Sequence, residues 1–506
     1  MRKKVLVIGG GVAGLSVGSY LAMNDFDVEI FEMNRSAGGV CNAWQRGDYT
    51  IDLCAHLLVG AGPASTLYEK WNELAPVGEI GCWPVEEYLR VEDSRGRTIR
   101  VFTNPDRLEK ELLEQAPEDA AAIHELTGAL RKLADYEEAH EKPPELTGFW
   151  ERVREYGRTV PYLSVVERFS AVSLEHYAAE FSNPLLQKVI LNLSESRVSA
   201  ILPLLMLSWI GAGKAGYPKG GAAAFTHRIL DRFQSLGGSI RFQHKVAKIL
   251  VQDDSAVGVE LEDGRQIMGD YIISAADGHA TLFDLLKGAY TGKTFEKFYK
   301  AHRAFPSMFY IALGVRRDLS MLPAHILFPI GATLVIDPET IIDNLSVRVH
   351  HFDPSLAPVG KTLVSIGIRT ANYKYWQNLQ QRSPEKYTSE KERISQAAIR
   401  ALDRRFGDFA AHVEMIDVAT PGTIIGFTNN WQGSFEGWIH DPKTGLRFLP
   451  YTLPKLGQFY MCGQWIAIGG GLPGVLLSTR DVAQLICHAE QRDFQHFSLG
   501  AKPALP

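Results

Sequence analysis

Three consecutive glycines near the start of the chain, in MRKKVLVIGGGVAGLSVGSYLAMNDFDVEIFE, constrain the fold more than any other stretch. Ahead of them Val5-Leu6-Val7-Ile8 is a short apolar run suited to a strand buried on both faces, and behind them Ala13 to Met23 has the spacing of a helix. Gly9, Gly11 and Gly14, with Val12 and Ala13 between them, fit G-x-G-x-x-G. The first glycine permits the tight turn, the second lets a pyrophosphate approach the backbone, and the third lets helix and strand pack closely. The helix that starts there would present free N–H groups and its positive end to phosphates. The following strand, VEIFE, ends at Glu32, about 20 positions on, where an acid is placed to meet a ribose hydroxyl. The same glycines exclude an export signal, whose apolar core of about 7 to 15 residues is unbroken. The chain is therefore expected to be an α/β protein built on a Rossmann-like nucleotide-binding domain.

With 506 residues, 45% of them hydrophobic, there is material for two or three domains. A net charge of -5 offers no basic face for nucleic acid. The cysteines, Cys41, Cys54, Cys82, Cys462 and Cys487, are odd in number and form no C-x-x-C pair, so they read as reduced thiols of a cytoplasmic protein. No metal-ligand cluster, Ser/His/Asp ordering or Walker loop stands out, and none of these mechanisms is expected. Nor does any run reach the roughly 18 apolar residues of a membrane span. The nearest approach is SAILPLLMLSWIGAG, Ser199 to Gly213. It reads either as a buried wall of an apolar pocket or as a greasy entrance, Ile201 to Ile210, resting peripherally on the cytoplasmic membrane face.

Along the chain, residues 1–95, 217–290 and 441–495 read as one discontinuous α/β nucleotide-binding domain. Residues 96–216 and 291–440 read as an inserted α+β substrate domain. Its first part is helical, with Leu108, Leu112, Ile123, Leu126, Leu130 and Leu133 at spacings of three, four and seven. Its second is β-rich, with a polar helix from Ser389 to Phe406. No solenoid repeat is present.

Beyond Glu32, Arg35 and Gly38-Gly39 complete E-x-x-R-x-x-G-G, a pattern that extends the pyrophosphate site in flavoproteins with two dinucleotide-binding domains. The far end, GQFYMCGQWIAIGGGLPGVLLSTRDVAQLICHA, is strand, turn and helix once more. Here the chain resembles the bacterial phytoene desaturase, carotenoid isomerase and retinol saturase family of FAD-dependent oxidoreductases. GDYTIDLCAHLLVGAG, GYPKGGAAAFTHRI and TPGTIIGFTNNWQGSFEGW carry the resemblance through the rest of the chain.

The resemblance implies non-covalently bound FAD, contacted by Ala55, His56, Leu57, Val246, Ala275, Gly463, Gln464, Gly471, Leu472, Pro473, Gly474 and Val475, with His56 as the candidate catalytic side chain. Gln464 departs from the Gly-Asp usual in this superfamily and supplies no carboxylate there. The aromatics Phe309, Trp431, Phe435, Trp438 and Trp465, with Phe305, fall in segments the family uses for its pocket. An extended apolar, carotenoid- or isoprenoid-like substrate is implied, with hydride transfer to or from flavin N5 and oxygen or a quinone as electron acceptor. Redox-neutral carotenoid isomerisation, amine oxidation, and a flavin-free escort role for prenylated proteins stay open as alternatives.

Overall fold

Val5 to Ile8 carry no polar side chain that could face water, and they lie at the centre of a sheet. In the computed structural model, which describes residues 2–53, 57–137, 140–445 and 447–498, Lys4–Ile8 is the middle strand of five. The order is Ser239–Arg241, Asp27–Phe31, Lys4–Ile8, Tyr271–Ser274, Phe459–Met461. Every neighbouring pair is parallel, as expected of a sheet whose crossovers are helices. The helix Val12–Met23 follows the first glycine turn and packs against both Gly221–Ser235 and Gly471–Ala489. The nucleotide-binding unit is thus assembled from residues far apart in the chain, and a three-stranded antiparallel sheet, Val246–Gln252, Ser255–Leu261 and Gln266–Met268, is appended to it.

A second, seven-stranded sheet runs Val413–Ala419, Ser307–Val315, Thr362–Thr370, Thr340–Val349, His325–Asp337, Glu87–Glu92, Thr98–Phe102. Its last two strands form an antiparallel hairpin, Leu89 opposite Val101 and Val91 opposite Ile99. The boundary expected at residue 95 therefore falls inside a hairpin turn. Asp93 holds that turn by accepting hydrogen bonds from the Arg95 and Arg97 N–H groups, and the polar cluster there is a local feature, not a domain edge.

The helices Pro105–Gln115 and Ala120–Leu133 bury Leu108, Leu112, Ile123, Leu126, Leu130 and Leu133, the face that their spacing implied. The polar helix starts earlier than expected, spanning Pro384–Phe406, because Pro384 occupies its first turn, where a missing N–H costs nothing. Together with Tyr373–Arg382 it covers one face of the seven-stranded sheet, where Phe309, Ile311, Leu313, Val347, Ile366 and Ile368 meet Trp376, Ile394, Ala398 and Leu402. Side chains alternate along strands, so Met308, Tyr310, Arg348, Ser365 and Arg369 stand on the other face.

Candidate active site

The first glycine turn is built as a cradle. Gly9 has φ +99, and a Cβ on Gly14 would lie 1.9 Å from the Gly9 carbonyl oxygen. A Cβ on Gly11 would meet no protein atom nearer than 3.8 Å; what it would fill is open space in front of the helix. The buried Glu32 carboxylate closes one side of the turn, accepting hydrogen bonds from the Gly10 N–H at 2.7 Å and the Asn34 N–H at 2.8 Å. Gly38 folds back on the turn, donating its N–H to the Gly10 oxygen at 2.9 Å.

The C-terminal glycine turn lies against the first. Gly463 has φ +98, and a Cβ there would be 3.1 Å from the Ala13 Cβ. Gly469, Gly470 and Gly471 all have positive φ, and a Cβ on Gly470 would lie 1.9 Å from the Glu436 carbonyl oxygen. Only glycine satisfies both requirements. The helix Gly471–Ala489 begins there with no acid in its first turn, so its N–H groups and positive end are free for an electron-rich group.

Both turns line one cavity of about 1710 Å³. Gly9, Gly11, Val12, Ala13, Glu32, Gly38, Gly39, Leu57, Val246, Ala275, Gln464 and the run Gly471 to Val475 all line it. Gly14 and Gly463 do not; they bring backbone segments together behind the wall. Arg35 is exposed and is not among the lining residues, so as folded here it does not extend the cradle as expected. Ala55 and His56, with Cys54, lie outside the described residues.

The expected aromatic pocket needs correction. Phe435 and Trp465 line the cavity, with Phe305. Phe309 is on the opposite face of its strand, fully buried against Trp376 at 5.0 Å between ring centroids. Trp431 and Trp438 stand behind the wall: Trp431 stacks on His279 at 5.2 Å, and the Trp438 indole N–H donates to the Trp465 carbonyl at 3.0 Å. The segment Ile201–Gly211 is a wall and not a lipid-facing entrance. Ile201, Leu204 and Leu207 are core, while Leu202, Pro203, Leu205, Met206 and Trp209 face the cavity.

Charged groups on the wall went unnoticed in the sequence. Glu436 borders the cavity beside Gly470, and burial pushes its carboxyl up to about 7, the nearby Arg369 opposing this. Asp277 is likewise raised to about 7 by burial, although the N–H groups of Trp431 and Ala280 hydrogen-bond its carboxylate at 2.8 and 2.7 Å. Those bonds tie the 430 loop to the end of the Tyr271–Ser274 strand, which makes Asp277 a structural anchor. Arg348 and Arg369 also face the cavity. Each is a single charge inside an apolar run, LSVRV and LVSIGIRT, and that interruption was the signal available.

The sequence matches the family described as flavin containing amine oxidoreductase over residues 12–487. It is 23% identical to prolycopene isomerase of Arabidopsis thaliana, over 94% of this chain and 80% of that protein. It is also 23% identical to the lycopene-forming phytoene desaturase of Paracoccus sp., over 96% and 97%. Cyclohexylamine oxidase from Brevibacterium oxydans shares the fold with a TM-score of 0.59, at 17% identity over 97% of this chain and 100% of that one. The open cradle at Gly11, the acid at Glu32 and the second helix start at Gly471 fit a dinucleotide with an electron-rich ring. The chain belongs to the flavin containing amine oxidoreductase family, and its cofactor is FAD.

Proposed function

We propose that this chain is an FAD-dependent oxidoreductase that removes or adds hydrogen across a carbon–carbon bond of an extended, carotenoid-like molecule. One observation carries the reading: a single cavity of about 1710 Å³ runs from the glycine cradle to a wall of Leu202, Leu205, Met206 and Trp209. A pocket for one small ligand is about 300 to 1,000 Å³. The larger space suits a cofactor and a long apolar substrate together.

When bound, the flavin supplies a hydride acceptor or donor. The protein's task is then to hold the substrate carbon against it, exclude water, and handle the proton that accompanies a hydride. Glu436 is suited to the last task. Its carboxyl borders the cavity at the C-terminal glycine turn and titrates near neutrality, the range in which a general acid or base works best. Leu202, Leu205, Met206 and Trp209 make a dry channel for the rest of the chain.

Electron counting tests this reading. Mixing oxidised holoenzyme with phytoene in micelles, without oxygen, should bleach the flavin in proportion to product two hydrogens lighter. Pre-reduced enzyme that instead turns over a polyene to a geometric isomer of equal mass, with no acceptor consumed, would replace it with isomerisation.

Substrate of this kind arrives from lipid, and among the described residues no helix is long and apolar enough to cross a membrane. The surface suited to docking is Phe149–Thr159, where Phe149 is 71%, Trp150 79% and Tyr156 63% exposed. Arg152, Arg154 and Arg158 are interspersed and exposed, a pairing of aromatic and basic side chains that fits an anionic membrane face. Arg152, Tyr156 and Arg158 also line the cavity, so this helix sits at its mouth. The protein should float with phosphatidylglycerol liposomes, and Phe149→Asp with Trp150→Asp should cut the bound fraction roughly tenfold or more. Equal flotation of the two proteins would remove this helix from the docking surface.

A further inference from the structure

Among the cations on the cavity wall are two, on neighbouring strands of the seven-stranded sheet, for which a hydrocarbon substrate has no use. Arg348 lies on the strand Thr340–Val349 opposite Ser365 of the neighbouring strand Thr362–Thr370. Arg369 is four residues further along that second strand. Both therefore project from the same face of the sheet, the one turned to the cavity, and both line it.

Among the described residues the Arg348 guanidinium makes no hydrogen bond and no ion pair, although the residue is half-buried in the sheet and lines the cavity. Its charged neighbour is Arg369, which repels it, and the groups around it are the neutral Tyr88, Tyr310 and Tyr217 and the cross-strand His325. Arg369 donates one hydrogen bond, to the Ser194 carbonyl at 3.0 Å, and has no carboxylate within 4.0 Å among the described residues. A guanidinium has five N–H donors and does not lose its charge at physiological pH. Glu436 lies near Arg369, but among the described residues no carboxylate forms an ion pair with either arginine, and two unpaired guanidinium groups on one cavity wall carry a desolvation cost that native proteins meet by pairing. The missing acid is one that arrives with the ligand.

We propose that Arg348 and Arg369 form a carboxylate-recognition site, and that the enzyme prefers a polyene or isoprenoid acid to a neutral polyene of the same length. The proposal rests on the polyene oxidoreductase reading above and specifies its substrate class. The planar fork of a guanidinium matches the two oxygens of a carboxylate in a bidentate pair. A site built for such a partner discriminates strongly against the analogue that lacks it, because the arginine is then left unpaired. Glu436, on the same wall, marks the end nearest the C-terminal glycine turn, so the acid would be held with its chain running back along Leu202, Leu205 and Trp209.

The test is a flavin difference-spectrum titration of the holoenzyme with retinoate and with retinol, two molecules of one length and unsaturation that differ in the terminal group. Retinoate should bind more than about tenfold tighter than retinol. Arg348→Met should remove most of that preference while the flavin content stays at the wild-type level, and Arg369→Met should lower it in part. Equal binding of acid and alcohol by the wild type overturns the proposal without use of any variant, as does a preference that survives in the Arg348→Met, Arg369→Met double variant. If neither C20 compound perturbs the flavin but benzoate does so in an Arg348-dependent manner, the carboxylate site stands and the polyene reading falls. If retinol binds as well as retinoate and neutral phytoene reduces the flavin, the polyene reading stands and the carboxylate site falls.

Discussion

Gly11→Val yields a folded protein that purifies colourless. Gly11 has φ -72 and ψ -179, extended backbone that any residue adopts, and a Cβ there has 3.8 Å of clearance from the nearest protein atom. The apo fold therefore loses little. What the valine methyl groups occupy is the space in front of the helix Val12–Met23, where a pyrophosphate would accept hydrogen bonds from the first turn. Hydrogen bonds to a charged group are worth about 1.5 to 3 kcal/mol each, so displacing two of them costs about a hundredfold to ten-thousandfold in affinity. Absorbance near 450 nm in the purified variant should fall below about a tenth of wild type, with far-UV circular dichroism unchanged. Gly14→Val should fail differently: its Cβ would sit 1.9 Å from the Gly9 oxygen, and the product should be insoluble. Full flavin absorbance in Gly11→Val would mean that this turn is not the pyrophosphate site.

The second large effect is expected at Glu436. Glu436→Gln keeps the volume and the hydrogen-bonding capacity but holds no titratable proton. Flavin reduction by substrate should slow by about a hundredfold to ten-thousandfold, the usual contribution of a positioned acid or base. The pH dependence separates this role from a structural one. Burial raises the carboxyl to about 7, so the ionised, proton-accepting form accumulates as pH rises through that value, and the wild-type rate of substrate oxidation should rise with it. The variant should be flat over the same window. Stability moves in the opposite sense. A carboxyl raised in the folded state contributes stability that is fully present below its unfolded value of 4.5 and is lost as pH rises through about 7. Glutamine has no such loss, so at pH 8 the variant should melt no lower than wild type. A wild-type rate and pH profile in Glu436→Gln would remove the residue from the chemistry.

The two halves of the molecule were unequally legible. In the nucleotide-binding half the glycines of the two turns mark places where a Cβ is excluded by the backbone, as at Gly14 and Gly470, or by the ligand, as at Gly11, and residue identity alone reports a geometric constraint. The strand, turn, helix and acid of residues 4 to 32 could therefore be read directly, and the C-terminal turn joined them. In the substrate half identity says less. Ser307–Val315 is buried along nearly its whole length, so apolar character does not tell which parity faces the cavity. Phe309 was expected there, yet the neighbouring parity, that of Met308 and Tyr310, shares the cavity-facing side with Arg348 and Arg369. Trp431 and Trp438 lie close to the expected site but support it from behind, because wide rings pack on one another as readily as on a ligand. Ile201 to Ile210 presented the reverse difficulty: a sequence greasy enough for lipid is equally suited to a wall, whereas another helix, Phe149–Thr159, is more polar in sequence but exposes its aromatics. The lone charges in LSVRV, SIGIRT and SFEGW were the most informative letters in that half.

The placing of the last parallel strand, Phe459–Met461, beside Tyr271–Ser274, and of the helix Gly471–Ala489 beside Val12–Met23, has a consequence for biosynthesis. The strands of the seven-stranded sheet all lie between Glu87 and Ala419, so that unit can assemble while translation continues, as domains generally do when they leave the ribosome in order. The cradle cannot. Its N-terminal half emerges first, is joined by Ser239–Arg241 and Tyr271–Ser274, and leaves the edge of Tyr271–Ser274 uncovered until Phe459–Met461 has been made. Cofactor capture is therefore a late event, and a cell short of riboflavin would accumulate full-length chains whose seven-stranded sheet is finished and whose two glycine turns still lack the group that bridges them.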